Sequence, residues 1–403
     1  MITISGKYNS AIVYTDTVEE TAVEQIKTLC GQEFVEGSNI RIMPDVHAGK
    51  GCTIGFTMAI QDKVCPNLVG VDIGCGMRTV NIGKTDIDLG KLDEVIRKYI
   101  PCGMNVHESR LHRFDLTRLA CYRNLKDTKR LERSIGTLGG GNHFIEVDSD
   151  VSGNKYLVIH SGSRNLGHQV ATYYQKLAVE LCSGKEVMYA EQEQIIREYK
   201  EQGKRNEIQD ALKNLRARHA NAFPSLPEDL CYLSGKYKDD YLNDMQICQE
   251  FAVENRMRMA EAIVAQLGID VVNEFETVHN YIDFSDSILR KGAISAKTDE
   301  ILLIPMNMRD GCILGRGKGN PDWNWSAPHG AGRLMSRNQA KETLNMDEFK
   351  DVMRGIYTTS VSNDTLDEAP MAYKNMDDII KHIGDTVEIV DIIKPIYNFK
   401  ASE

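Results

Sequence analysis

The chain reads as a mixed α/β protein of the α+β class, one composite domain over residues 1–403 with a helical hairpin inserted at 169–227. Three observations lead there. Short runs of β-branched residues alternate with amphipathic stretches through the N-terminal quarter. From 169 to 222 the sequence turns polar and helical, with Glu191-Gln192-Glu193-Gln194 and a charged run over 197–204. Glycine clusters holding Asp, Cys or His occur in both halves of the chain, and neither an internal repeat nor a low-complexity linker separates the halves.

Taken in order, residues 2–4 and 11–14 read as strands and 18–29 as a helix. Residues 40–43 read as a strand running into a turn at Pro44-Asp45-Val46-His47-Ala48-Gly49. Residues 55–60 and 67–71 are further strand-like runs. A helix over 89–100 starts near Asp86 or Asp88, residue types that cap free N–H groups. The arm over 169–227 closes at Phe223-Pro224-Ser225-Leu226-Pro227. Its acidic and basic residues roughly balance, so it presents a solvated face and not a nucleic-acid arm. A long amphipathic helix follows over 240–267. Strand character returns at 271–272, 294–296 and 301–304, a glycine-rich segment spans 311–319, and helix resumes at 335.

At 403 residues and 42% hydrophobic, the chain can bury a large core, and 26% charged residues fit a soluble globular protein. No window reaches the ~18 consecutive apolar residues that span a bilayer. The start lacks the basic and apolar regions of a signal peptide, so no membrane partner and a cytoplasmic location are expected. Ten cysteines without a Cys-x-x-Cys pair argue against a disulfide framework and against four-cysteine zinc. A net charge of -10 argues against loose nucleic-acid binding over the whole surface, though not against a local basic groove or phosphate held by metals.

Four clusters carry the chemistry: Val69-Gly70-Val71-Asp72-Ile73-Gly74-Cys75-Gly76-Met77, Gly139-Gly140-Gly141-Asn142-His143-Phe144-Ile145-Glu146, His160-Ser161-Gly162-Ser163-Arg164, and Ala327-Pro328-His329-Gly330-Ala331-Gly332-Arg333. Glycine permits positive φ and lets a ligand approach closely. Asp72 and Cys75 leave an apolar run three residues apart, and a tight turn at Ile73-Gly74 brings their side chains together. With His143, His160 and His279 they form a candidate set for one or two divalent ions, the sulfur being able to bridge. Donor chemistry alone puts zinc first, because manganese prefers oxygen and nitrogen. A single histidine after an apolar strand is more often a hydrogen-bonded core residue than a ligand; the shared setting, a donor beside Gly or Asn at the end of an apolar run, is what argues for the set. His107, His112, His168, His219 and His382 lack that setting and read as surface or packing residues. His47 stands between, in a loop that is either part of a site or a tight turn.

Gly139-Gly140-Gly141-Asn142 exposes successive backbone N–H groups, a nest able to hold phosphate oxygens. A neutral His329 imidazole could attack phosphorus, with Arg333 stabilising the developing charge; the plainer reading is a helix entry whose glycines allow close packing. Gly317-Lys318 is followed by Gly319, which excludes the standard phosphate loop, and no Gly-x-Gly-x-x-Gly with a downstream acid favours a dinucleotide enzyme. Lys-x-Asp-Gly is absent, which removes the lysine-adenylate type of ligase.

Together these clusters resemble the RtcB family of RNA-splicing ligases. The resemblance runs from Met43-Pro44-Asp45-Val46-His47 through the clusters above, with Gly136-Thr137-Leu138 and Arg290-Lys291-Gly292-Ala293, to Pro370-Met371-Ala372-Tyr373-Lys374. It implies the mixed α/β fold of that family and two Mn2+ ions. One ion would be held by Asp72, Cys75 and His143, the other by Cys75, His160 and His279, with Cys75 bridging. It implies that His329 takes GMP from GTP as a covalent phosphoramidate. Asn142, Glu146, Asn280, Pro305, Met308, Gly330, Ala331, Gly332 and Lys400 would contact the guanine nucleotide. The implied reaction joins an RNA 3′-phosphate, or a 2′,3′-cyclic phosphate first opened by hydrolysis, to a 5′-hydroxyl, in RNA repair or tRNA splicing, with an activating protein as a further partner.

Three departures stand out. Met306-Asn307-Met308-Arg309 replaces the family's Gly-Ser-Met-Gly, Val278 stands where a second histidine is common, and Lys400 is followed by Ala401 instead of glycine. These leave open an alternative in which the metals remain but joining is lost, giving a cyclic-phosphate hydrolase or a 3′-end guanylyl-capping enzyme; a non-catalytic RNA-binding role is a third reading, against which intact His329 argues. Chemically, His329 must be unprotonated to attack, so activity should fall as pH drops toward histidine's ~6.5, and Glu146 accepting from guanine N1–H and the N2 amine would select GTP over ATP.

Overall fold

The computed structural model describes residues 1–222 and 226–401 and is mixed α/β. A six-stranded sheet has the spatial order Ile2–Ser5, Ser10–Val13, Ile40–His47, Ile54–Ala59, Ile288–Lys291, Asn280–Asp283. A larger sheet has the order Asn273–Val278, Gly76–Gly83, Lys155–Ser161, Phe144–Ser149, Val387–Lys400, Gly311–Gly317, Ile301–Asn307, with Tyr357–Thr358 pairing in parallel on Val387–Lys400. Both sheets take strands from both ends of the sequence, which is why the motifs of the two halves meet.

The helix Gly235–Leu267 joins the two sheets. At 33 residues it is about 50 Å long at ~1.5 Å per residue. Its N-terminal half buries Tyr241, Met245, Cys248 and Phe251 in a cluster with Ile40, Ile42 and Phe56 of the six-stranded sheet, Ile26 of helix Glu20–Cys30 and Val170 of helix Arg164–Cys182. Its C-terminal half buries Met259, Ala260 and Ile263 against Ile145, Leu157 and Ile159 of the larger sheet and Ile96 of helix Leu89–Tyr99. The three-to-four spacing of these residues makes two apolar stretches on one buried face, with the buried polar pair Asn255 and Arg256 between them. Each large apolar side chain so buried contributes about 1.5–3 kcal/mol. Gly268, at φ +65°, ends the helix in the left-handed conformation that glycine adopts without a Cβ penalty.

Several predicted elements shift. Residues 67–71 are not a strand: Pro66–Leu68 is a single tight helical turn and Gly70 has φ +100°. Pro66 has no N–H to give a ladder, and the run is apolar because the turn is buried. The strand expected at 271–272 begins at Asn273 instead; its exposed Asn273 and Glu274 hid an edge strand whose only alternation is weak. The strand from Ile40 continues through the expected turn to His47, with a register shift between Ile42 and His47. The glycine-rich 311–319 segment is mostly the strand Gly311–Gly317. Residues 169–182 belong to helix Arg164–Cys182, whose Val170, Ala171, Tyr174 and Ala178 are in the core. Beyond it, Lys185–Glu201 and Ile208–Ala222 pack on each other. The expected closure at Phe223, Pro224 and Ser225 lies outside the described residues.

Candidate metal centre and histidine pocket

Four neighbouring strands of the larger sheet run antiparallel, in the order Asn273–Val278, Gly76–Gly83, Lys155–Ser161, Phe144–Ser149. Antiparallel alternation puts the end of the first, the start of the second, the end of the third and the start of the fourth on one edge. Each of these places carries a donor. His279 follows Val278, Cys75 precedes Gly76, His160 is the penultimate residue of its strand, and His143 precedes Phe144. Residues far apart in sequence are thereby brought to one point.

Cys75 Sγ lies 3.5 Å from His143 Nε2 and 3.3 Å from His160 Nε2. His143 Nε2 is 3.1 Å from Asp72 Oδ2, and His160 Nε2 is 3.1 Å from His279 Nε2. Asp72, Cys75 and His143 form one trio of donor atoms within 4.8 Å, and Cys75, His160 and His279 form another; Cys75 belongs to both. His143 Nδ1 donates to the Leu138 carbonyl at 2.9 Å and His160 Nδ1 to the Asn142 carbonyl at 3.2 Å. Since a carbonyl only accepts, both rings keep Nδ1–H there and turn Nε2 toward the sulfur, the arrangement that orients imidazole ligands. The glycine-rich turn expected to cradle phosphate with its N–H groups therefore also orients two imidazoles with its carbonyls.

Burial, followed by the His143 ring, pushes His160 well below the ordinary histidine range; burial, followed by the His329 and His160 rings, does the same to His279. Burial and the adjacent Asp72 carboxylate push the Cys75 thiol well up. Burial opposes ionisation of Asp72, but the His143 hydrogen bond and charge more than offset it and hold the carboxyl down at about 2. Neutral His160 keeps its proton on Nδ1 and turns an Nε2 lone pair toward His279 Nε2 at 3.1 Å, a pairing that a His279 Nε2–H satisfies and a cation can replace. The donor set thus fits a pair of divalent cations sharing the Cys75 sulfur.

The helix Gly235–Leu267 clamps the turns that present these donors. Arg256, fully buried, donates through one terminal nitrogen to the carbonyls of Gly74 (2.8 Å) and Ser161 (2.7 Å), and through Nε to Glu276 (2.7 Å). Asn255 accepts from the N–H groups of Gly136 and Thr137 and donates to Ser161 Oγ and the Gly162 carbonyl. Neither residue stood out in the sequence, because a polar pair in a long amphipathic helix reads as surface. Asn280 donates to the Asp72 carbonyl at 3.3 Å and accepts from Gly292 N–H at 2.9 Å. A Cβ on Gly162 would fall on the Asp72 carboxylate. Gly162→Ala is accordingly expected to displace Asp72 from His143 and weaken cation binding about 10–100-fold, measured by metal titration; unchanged affinity would show that Asp72 is not held there for a metal.

His329 follows the short strand Ser326–Pro328. Its Nδ1 is 2.6 Å from Asp45 Oδ2, and its backbone N–H donates to the same oxygen at 3.2 Å. Asp45 is fully buried in the strand Ile40–His47, and Lys374 braces it by donating to the carbonyls of Pro44 (3.1 Å) and Val46 (2.9 Å). Gly332, at φ +74°, packs against the Asp45 backbone where any side chain would clash. The carboxylate on Nδ1 selects the tautomer of the neutral ring in which Nδ1 carries the proton and Nε2 the lone pair. The His329 ring stacks on His279 at 4.8 Å between centroids and 27° between planes, so the two imidazole groups are neighbours. His47, the residue left between two readings, borders the same cavity and places its Nδ1 3.0 Å from the Asp45 carbonyl.

A cavity of about 290 Å³ opens beside His160, His279 and His329. Asn142, Glu146, Asn280, Pro305 and Met308 border it, as do Gly330, Ala331, Gly332 and Lys400. Asp72, Cys75 and His143 lie behind that wall. Arg333 also borders the cavity, but most of its donors are committed to the Met335 and Asp367 carbonyls, Glu368 and the Tyr373 hydroxyl. Arg337, Glu368 and Tyr373 were not singled out from the sequence. Glu368 gathers Lys400, Arg337 (2.7 Å) and the Tyr373 hydroxyl (2.7 Å) in a buried network. Burial opposes ionisation of Glu368, yet the Lys400 and Arg337 charges hold it down at about 2. A carboxyl held below its ordinary value stabilises the fold above that value and loses its contribution as pH falls through it. Stability should therefore drop by about 3 kcal/mol between the ordinary glutamate value and the depressed one. Urea titrations between about pH 5 and pH 2 would show Glu368→Gln flattening this acid limb; an unchanged limb would place the linkage elsewhere.

The sheet-edge donors and the aspartate-held histidine define a mixed α/β protein whose donor clusters could hold metal ions beside a pocket bordered by His329. The chain belongs to the tRNA-splicing ligase RtcB family, which it matches over residues 25–124 and 121–401. It is 29% identical to RNA-splicing ligase RtcB1 of Escherichia coli over 94% of each chain. It is 25% identical to tRNA-splicing ligase RtcB of Aeropyrum pernix over 96% of this chain and 94% of the relative. RNA-splicing ligase RtcB2 of Escherichia coli is 23% identical, over 96% and 93%. No helix among the described residues is long and apolar enough to cross a membrane.

Proposed function

We propose that the chain is a cytoplasmic RNA ligase, dependent on GTP and Mn2+, that joins RNA 3′-phosphate or 2′,3′-cyclic phosphate ends to 5′-hydroxyl ends through a covalent His329–GMP intermediate. It acts as one catalytic unit, with the helices over 185–222 as an arm. The observation that carries the reading is the Asp45-held His329 ring stacked on His279 at the mouth of the donor cluster. The names of the relatives, RNA-splicing and tRNA-splicing ligases, point the same way.

Asp45 accepts from Nδ1–H, so the Nε2 lone pair of His329 attacks the α-phosphorus of GTP. The Nε2–P bond forms, the bond to the bridging oxygen breaks, and pyrophosphate leaves with that electron pair. Asp45 stabilises the positive charge the ring acquires. An oxygen of the RNA 3′-phosphate then attacks the histidine-bound phosphorus, and the N–P pair returns to Nε2. This activates a poor electrophile, because GMP is a far better leaving group than an oxide. The 5′-hydroxyl attacks the activated phosphate, loses its proton and expels GMP. Asp72, Cys75 and His143 would hold one Mn2+ and Cys75, His160 and His279 the other, supplying Lewis-acid polarisation of phosphoryl oxygens when bound. Glu146, Asn280 and Lys400, which border the cavity, would contact the guanine nucleotide.

Incubation with α-labelled GTP and Mn2+, followed by RNA bearing a 3′-phosphate and a 5′-hydroxyl, tests the reading. Label on protein followed by joined RNA is expected. The second reading, capping without joining, draws on Asn307, whose amide is folded back on the Arg309 and Asp310 N–H groups and the Asp310 carboxylate. It predicts labelled protein and capped, unjoined ends. Absence of label on the protein would overturn both.

A further inference from the structure

A second group of donors lies apart from the centre already described. Glu146 and Asp148 are two residues apart on the strand Phe144–Ser149, so they point to the same face. Cys312 comes from the strand Gly311–Gly317, with Val387–Lys400 between. Cys312 Sγ is 3.3 Å from Glu146 Oε1, and one donor atom from each of the three residues lies within 4.8 Å of the others. Glu146 is 3% exposed, and Asp148 and Cys312 are fully buried.

What marks the group is the lack of a counter-charge. Among the described residues no N–H or hydroxyl donates to either carboxylate oxygen of Asp148, whose polar neighbours are Glu146 and Cys312 themselves. Asn398, which donates to Glu146 Oε2 at 2.8 Å, has an orphaned carbonyl oxygen of its own. The nearest lysines are engaged elsewhere, Lys394 with the Asp310 carbonyl and Lys400 with Glu368. Buried acceptors without donors cost a few kcal/mol each and call for a missing ion or proton. A thiolate with two carboxylates suits a borderline divalent cation such as Zn2+ or Co2+. The 3.3 Å sulfur–oxygen separation is close to the ~3.5 Å between ligands at ~2.3 and ~2.0 Å on a tetrahedral ion.

We propose that Glu146, Asp148 and Cys312 form a third divalent-cation site, distinct from the Cys75 centre and set behind the cavity wall made by Glu146 and Asn398. Without a cation, burial pushes Glu146 up to about 7 and raises Asp148 further, its proximity to Glu146 adding to burial. A cation held through Glu146 Oε1 leaves Oε2, paired with Asn398, at the cavity wall and so fixes which acceptor the cavity presents. That consequence, tuning which nucleobase the cavity accepts, rests on the ligase reading; the site itself does not.

The test uses Co2+ alone as probe on the chelator-stripped full chain. In Cys75→Ala, which removes the bridging sulfur of the first centre, Co2+ should produce a thiolate-to-metal charge-transfer band that saturates at one equivalent. The added Cys312→Ala change should abolish that band, and Asp148→Asn should weaken it at least tenfold. Absence of a band in Cys75→Ala, or a band that survives Cys312→Ala, overturns the proposal. The reciprocal measurement does not depend on the Cys75 variant folding: with Cys75 intact, Cys312→Ala should bind one equivalent less Co2+ than the parent chain, and equal stoichiometry overturns the site. Labelling of His329 by GTP is read separately, so failure of the ligase reading and failure of the third site give different results.

Discussion

His329→Ala should abolish transfer of label from GTP to the protein while leaving the metal content at the parent level. The imidazole removed is stacked on a donor ring but is not itself among the converging donors, so its loss takes away the nucleophile and spares the centre. Asp45→Asn is the sharper companion. The carboxylate accepts from Nδ1 at 2.6 Å; an amide can instead donate to Nδ1 and move the ring proton to Nε2, where it blocks attack. Labelling should slow by about 10²–10⁴-fold with metal binding unchanged. Labelling that survives His329→Ala would place the nucleophile elsewhere. Asp45→Asn at the parent rate would show that the aspartate packs the ring without setting its tautomer.

The candidate donors could be singled out in the sequence because each lies close to Gly or Asn at the end of an apolar run, a local signature. What the sequence could not show is why they meet. Cys75 and His279 converge because Asn273–Val278 pairs antiparallel with Gly76–Gly83, a contact between distant segments. Nothing local in 273–278 announces that strand: Asn273, Glu274 and Glu276 are polar because the strand is an edge, and its ion pairs with Arg78 and Arg256 are invisible until the fold is known. The same limit hid the long C-terminal strand Val387–Lys400, which carries Lys400 to the cavity through alternating residues broken by a bulge near Pro395.

The supporting residues were the least visible. Lys374 and Arg290 lie in motifs that attracted attention, yet their work is structural: Lys374 braces the Asp45 strand, and Arg290, fully buried, bonds Ser326 Oγ and the carbonyls of Asn324 and Trp325 just ahead of His329. Their place in segments that carry the family resemblance says nothing of their role; burial with carbonyl partners shows that each holds a loop. Asp148 and Cys312 gave no signal at all, since a strand aspartate facing inward and a lone cysteine look like edge polarity and core.

Arg256 links the fold to the site most directly, and its removal should have the largest effect on stability. Arg256→Ala strips donors from the Gly74 and Ser161 carbonyls and from Glu276 inside the protein. Breaking a buried charge from its partners destabilises by about 3–5 kcal/mol. Glu276 keeps some solvent contact at 22% exposure, which puts the expected loss near the lower figure. Gly74 and Ser161 each adjoin a donor, Cys75 and His160, so the variant should also lose cation affinity in the remaining folded fraction. Arg256→Lys should not restore it, because a single ammonium on a shorter stem cannot reproduce the guanidinium's fixed fork toward Glu276 and both carbonyls. Urea denaturation with metal titration reads both effects. A variant that loses stability but binds cations as the parent does would show that the helix clamp packs the protein without positioning the donors, and the sheet edge alone would then suffice to bring them together.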